Sequence, residues 1–158
     1  MRDSPPPKPI IRIAALLDEM MILIRRNTDG RMLQVLQRAD VTLPQILSLH
    51  AMQKQGPQRI SGLAAHLRLT AGAVSRLVDR LVDKGLVDRR ENETDRRQKT
   101  LHITEAGARL LRRLDGARKA DNELGFTGLD RTLATDLENV LGRVVDSLRH
   151  HRPKAGAS

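Results

Sequence analysis

Apolar residues recur at helical spacing along almost the whole chain, and the departures from that period are local and polar. From Ile10 to about Ala39 the pattern predicts a long helical segment. Its middle, Met20 to Ile24 (MMILI), is apolar on every side, as in a helix covered by more than one neighbour. The run Asn27 to Gly30 (NTDG) interrupts it, either as a kink or as a break between two helices. Thr42-Leu43-Pro44-Gln45 fits a capping box with proline in the first turn, where an amide hydrogen has no partner. The helix it opens should run to about Gln53, with Gly56-Pro57 as its stop. Ser61 is expected to cap a brief helix, Gly62 to Leu67, and Thr70 to cap another, Ala71 to Lys84. Two capped helices so close together make a helix-turn-helix pattern.

In the second helix of that pair, Val74, Leu77, Val78, Leu81 and Val82 form one apolar stripe. Gly72, Arg76, Asp79 and Asp83 lie opposite, flanked by Ala73 and Arg80, so small residues occupy the first turn of the outer face and arginines come after them. An ordinary surface helix with solvated charges has the same pattern, and the segment after the helix separates the two readings. Gly85 ends the helix, Leu86-Val87 start a strand at once, a polar turn spans Asn92 to Arg97, and Gln98 to Ile103 return with period two. Helix, helix and two-stranded hairpin compose a winged helix-turn-helix. At the hairpin tip, Arg96 or Arg97 is placed to enter a minor groove, where negative potential favours guanidinium. Residues 88–99 carry five basic against four acidic side chains, so attraction alone does not explain the tip. Asp95 pairing with Arg97 would hold the loop and present Arg96 outward. Beyond the hairpin, Thr104 is expected to cap a helix with Leu110, Leu111, Leu114 and Ala117 inward. After a break at Gly125 to Gly128 comes another, with Leu133, Leu137, Val140, Leu141, Val144, Val145 and Leu148 on one side. These stripes exceed what a small monomer buries, so a homodimer with interleaved terminal helices is expected.

Composition then removes alternatives. At 158 residues the chain makes one domain, or two small lobes sharing a core. It has no cysteine, which excludes disulfides, zinc-thiolate sites and thiol sensing. Phe126 is the sole aromatic residue, which excludes a base-stacking platform for single strands. The net charge of +9 points to a polyanion. Residues 1–40 hold seven basic and five acidic side chains, 41–104 eleven and six, and 105–158 ten and eight, so the winged segment supplies most of the excess. The apolar stretch Ile10 to Ile24 falls short of the roughly 20 residues a membrane span needs and contains Arg12, Asp18 and Glu19. A cytoplasmic protein without membrane contact is expected. Enzyme chemistry has no carrier: there is no Gly-rich phosphate loop, no HExxH and no marked nucleophile-base pair, and His50, His66 and His102 stand apart. No metal site and no cofactor are expected. Residues 1–9, rich in proline, and 152–158 read as disordered.

Read in order, Val41 to Gly107 resembles the MarR-type (multiple-antibiotic-resistance regulator) transcription factors. The likeness is carried by VSRLVDRLVDKGLVDR at Val74 to Arg89, DRRQKTLHIT at Asp95 to Thr104, and EAG at the opening of the next helix. The resemblance implies a mostly α fold with a small β-hairpin wing, in which a winged helix-turn-helix lobe, 41–104, joins dimerisation helices in 10–40 and 105–151. It implies a homodimer on a pseudo-palindromic operator in double-stranded DNA, acting as a ligand-responsive repressor. Carried over by position, Thr70, Ser75 and Arg76 contact phosphates and base edges, Arg96 is directed at the minor groove, and Asp95 and Arg97 brace the wing. Ser61, Gly72, Ala73 and Arg80 complete the expected DNA-facing set, with Gly72 and Ala73 smaller than the polar residues often found there. The family's effectors imply a small organic ligand, an aromatic acid or phenolic. The rival reading is a basic architectural or RNA-associated protein that coats nucleic acid without one operator.

Overall fold

The computed structural model describes residues 7–26, 30–91 and 99–150. In chain order these form α1 (Lys8–Arg26), α2 (Arg31–Ala39), α3 (Leu43–Gln55), α4 (Ile60–Leu67), α5 (Ala71–Asp83), β1 (Val87–Glu91), β2 (Lys99–Ile103), α6 (Glu105–Gly125) and α7 (Arg131–His150). The mostly helical fold with a small hairpin is therefore as expected. The chain divides into two compact units at residues 28/29 and 121/122.

The unit between those points is built around caps. Thr42 precedes α3 in an extended conformation, and its backbone N–H and its hydroxyl both donate to Gln45 Oε1, at 2.8 and 3.3 Å. Thr70 Oγ1 accepts from the Ala73 amide at 3.3 Å and so opens α5. At the other end Gly85 takes φ +66°, the Gly85 and Leu86 amides donate back to Val82 and Leu81 at 2.8 and 2.9 Å, and β1 begins with no intervening loop. Thr104 links that turn to α6: its hydroxyl donates to the Gly85 carbonyl at 2.7 Å and accepts from the Gly107 amide at 3.1 Å.

β1 and β2 pair antiparallel, with Val87 opposite Ile103, Arg89 opposite Leu101 and Glu91 opposite Lys99. Gln58 adds a short third rung by exchanging two backbone hydrogen bonds with Leu101, at 3.0 and 2.7 Å. Under this hairpin stem lies one core. Leu49 of α3, Leu63 of α4, Val74, Val78 and Leu81 of α5, Leu101 of β2 and Leu111 of α6 are wholly or almost wholly buried.

Four expectations change. Of the two readings open for Ile10 to Ala39 the break into two helices holds, with Gly30 in the left-handed region before α2, and the boundary of the arm changes: α1 begins at Lys8, so Lys8 and Pro9 are helical rather than part of an extended arm. Ser61 does not cap α4: the helix starts two residues earlier than expected, at Ile60, with Arg59 as the extended cap residue, because the Gln58–Leu101 pairing holds the chain extended up to that point. Leu110, Leu111 and Leu114 are not a spare dimer stripe, since all three join the core beneath the hairpin stem. In the other unit the MMILI run buries only Ile24, which packs so closely on Gly125 that a methyl group at Gly125 would come within 2.8 Å of it. Met21, Ile22 and Leu23 are exposed in the single chain, as are Leu133, Val140, Leu141, Val144, Val145 and Leu148 of α7, a helix with no buried residue. No helix of the described residues is long and apolar enough to cross a membrane.

Candidate nucleic-acid interface

The helix α5 owes its orientation to its own sequence. Val74, Val78 and Leu81 are fully buried, so the residues between them in angle are forced outward. Gly72, Arg76 and Arg80 are exposed, while Ala73 and Ser75 are half-buried at the edge of the stripe. A Cβ placed on Gly72 would meet no atom within 4 Å, so nothing in the fold demands glycine there. Its effect is to leave the first turn low and open. Thr70 is exposed beside it, with its hydroxyl engaged by the Ala73 amide.

Arg76 and Arg80 line a shallow groove of about 250 Å³ with Thr42, Gln45, Leu69 and Leu77, at the foot of α3. Neither arginine has a hydrogen bond or ion pair among the described residues, which leaves both guanidinium groups available to a ligand. Ser61 is exposed in the first turn of α4, a helix whose N-terminus has no side-chain cap. Asp79, expected on the outer face of α5, is half-buried, and its Oδ1 accepts from Arg89 Nη2 of β1 at 2.5 Å. Reading the sequence alone misses that pair. Its one signal there is an arginine two residues after Val87, on the strand face that carries Val87 and Leu101, a position that calls for a partner carboxylate.

At the far end of α5, Lys84 Nζ lies 2.7 Å from Asp40 Oδ2 and also donates to the Asp40 and Ala39 carbonyls, closing the C-terminus of α2. The Lys84 hydrogen bond, and then its charge, hold the Asp40 carboxyl below the usual carboxylate range. On the first turn of α6, the Arg112 guanidinium, 2.6 Å away, lowers the Glu105 carboxyl likewise. Beside these, Lys84, Arg109 and Arg113 rim a cleft of about 610 Å³ walled by Ala39, Leu86, Ala106 and Leu110. Asp95, Arg96 and Arg97, assigned to the wing tip, lie outside the described residues; only the stem of the hairpin is described.

The amphipathic α5 followed directly by a hairpin is matched by known proteins. Residues 41–99 match the model of the MarR family. The HTH-type transcriptional regulator MgrA of Staphylococcus aureus is 25% identical over 121 residues, 77% of this chain and 81% of that protein. The regulator YpoP of Bacillus subtilis is 32% identical over 96 residues, 61% of this chain and 64% of its own. Among solved structures, the transcriptional regulator Tm0710 of Thermotoga maritima superposes with a TM-score of 0.76 at 23% identity, covering 91% of this chain and 96% of that one. The S. aureus MepR–DNA complex gives 0.62 at 20% identity, covering 85% and 96%. These likenesses establish a winged-helix fold, and residues 41–99 carry the signature of the MarR family.

Proposed function

We propose that the protein is a sequence-specific regulator of transcription that binds double-stranded DNA as a homodimer on a pseudo-palindromic operator. The observation that carries this reading is α5: its inner stripe is locked in the core, while Gly72, Arg76 and Arg80 face outward, the two arginines without a hydrogen bond or ion pair among the described residues. A helix so arranged enters a major groove, where an arginine fork on guanine O6 and N7 is the commonest specific contact, and Arg76 takes that role. Thr70, Ser75 and Ser61 supply phosphate contacts at the helix starts, and Gly72 and Ala73 let the first turn approach the groove floor. Arg96 reaches the minor groove, braced by Asp95 and Arg97.

Residues 41–104 act as the DNA-binding lobe, and the exposed apolar faces of α1 and α7 supply the dimer contact, since such faces stay covered in a stable soluble protein. Twofold pairing sets the two copies of α5 on half-sites roughly 34 Å apart. Regulation by a small organic acid or phenol fits the 610 Å³ cleft, whose apolar wall and cationic rim suit a carboxylate on an apolar body. The coating-protein alternative lacks an equivalent support, because two exposed arginines one turn apart on one groove-sized helix are a reader's arrangement.

The test is a protection footprint on the DNA upstream of the protein's own gene in the presence of excess random duplex. Retained protection of a symmetric site is expected; protection lost to the competitor overturns operator recognition. Arg76→Ala should relax preference at one base position per half-site, whereas Arg96→Ala should weaken all sites alike. An Arg76→Ala protein with unchanged preference removes Arg76 from its role.

A further inference from the structure

We propose that Asp79 determines specificity from within: by holding Arg89, it keeps a phosphate-seeking guanidinium off non-operator DNA. The inference rests on the proposed DNA binding and concerns residues that the proposal leaves unused.

Asp79 stands three residues after Arg76 and one before Arg80, so on a helix it neighbours the proposed base-reading arginine. Its carboxylate is the one anionic group that α5 holds beside that arginine, and a bare carboxylate there would repel a phosphate backbone. Arg89 reaches it from β1, Nη2 to Oδ1 at 2.5 Å, with the arginine side chain 31% exposed and the aspartate 47%. The pair is therefore at the surface, within reach of a duplex laid on α5, and not sealed in the core. Arg76 and Arg80 make no hydrogen bond or ion pair among the described residues, Arg80 acting on Asp40 only through its charge, whereas Arg89 is neutralised by direct contact with Asp79. A buried brace for the hairpin would not need this placement, because β1 is already anchored by Val87, by the Leu86 amide and by pairing to β2.

The balance of charge gives the consequence. With Asp79 present, the pair presents no net charge to DNA, and discrimination is left to base-reading groups. Asp79→Asn removes one anion and frees one cation per subunit, two of each per dimer. Each phosphate neutralised adds about 0.9 to the slope of log affinity against log salt. Two new contacts therefore steepen that slope by roughly 1.8, which makes the loss of affinity between 50 and 200 mM salt about tenfold greater than in the parent.

The experiment measures Kd of the full-length protein for its footprinted operator and for a random duplex of equal length, across that salt range. Parent, Asp79→Asn, Arg89→Gln and the double variant are compared, with Asp79→Ser as a second aspartate replacement in case Asp79→Asn folds poorly. The expected result is tighter random-duplex binding, a smaller operator-to-random ratio and a steeper salt slope for both aspartate variants, all reversed when Arg89→Gln is added. An unchanged slope, or a steeper one that survives Arg89→Gln, overturns the proposal while leaving DNA binding intact. A parent protein that binds no duplex at all overturns both readings, and the parent arm alone shows it.

Discussion

Gly107, the glycine of the EAG signature, gives a sharp test of the joint between hairpin and helix. A methyl group built there would lie inside van der Waals contact with the Leu86 carbonyl oxygen, 2.8 Å from Ile103 Cγ1 and 3.4 Å from Leu49 Cδ2. The Leu86 oxygen cannot simply yield, because it accepts the Thr104 amide at 3.1 Å, and that bond sets Thr104 to cap α6. Gly107→Ala has two opposed effects. Helix propensity favours alanine by about 1 kcal/mol, while forcing a methyl into a packed backbone costs about 1–3 kcal/mol, here toward the upper end because the nearest atom is main chain. The net expectation is a loss of about 2 kcal/mol, or a fall in Tm of about 4–8 °C for a chain of this size. Gly116→Ala is the control in the same helix: Gly116 is exposed and a methyl there meets nothing within 4 Å, so propensity alone applies and stability should rise by up to about 1 kcal/mol. Thermal unfolding by circular dichroism, at one fixed protomer concentration because assembly contributes to apparent stability, measures both. If Gly107→Ala proves as stable as the parent, the close approach of α6 to Leu86 is wrong.

The charged clasps and the open helix faces carry further outcomes. Asp40 and Glu105 have lowered carboxyl pKa values, so their contribution is present above the ordinary carboxylate range and is lost as pH falls through the lowered values. Asp40→Asn and Glu105→Gln should therefore flatten the acid side of the stability profile below about pH 4, read from urea midpoints at successive pH values; profiles parallel to the parent's would contradict the ion-pair origin. Val144→Glu, on the exposed face of α7, should convert dimer to monomer at micromolar concentration in sedimentation velocity while leaving helix content intact. A Val144→Glu protein that still sediments as the parent does would remove α7 from the dimer contact.

What was legible in the chain is what depends on neighbours in sequence. Thr42 with Gln45, Thr70, Gly85 and Thr104 mark element ends through bonds spanning three or four residues, or through a single left-handed φ, and each boundary lies within about two residues of its expected place. Ser61 misleads for the converse reason: as a local signal it is a good cap, but Gln58 is claimed by Leu101, 43 residues later, and that pairing starts α4 two residues early. Periodicity has a related limit. The stripe Leu110, Leu111, Leu114 shows that α6 has an inner face without saying which core it enters, and only the packed structure assigns it to the lobe and not to a partner. The stripe on α7 has the same period and the opposite fate, exposed along its length. Asp79 and Arg89 divide along this line too. Helix period places Asp79 outward, strand period places Arg89 on the core face, and each alone reads as an ordinary surface charge or an anomaly. Only the turn at Gly85, which sends β1 back along α5, converts ten residues of separation into 2.5 Å. The groups proposed to read DNA stand out from helix period and the order of elements alone, whereas the group proposed to restrain them becomes visible only once its partner is located.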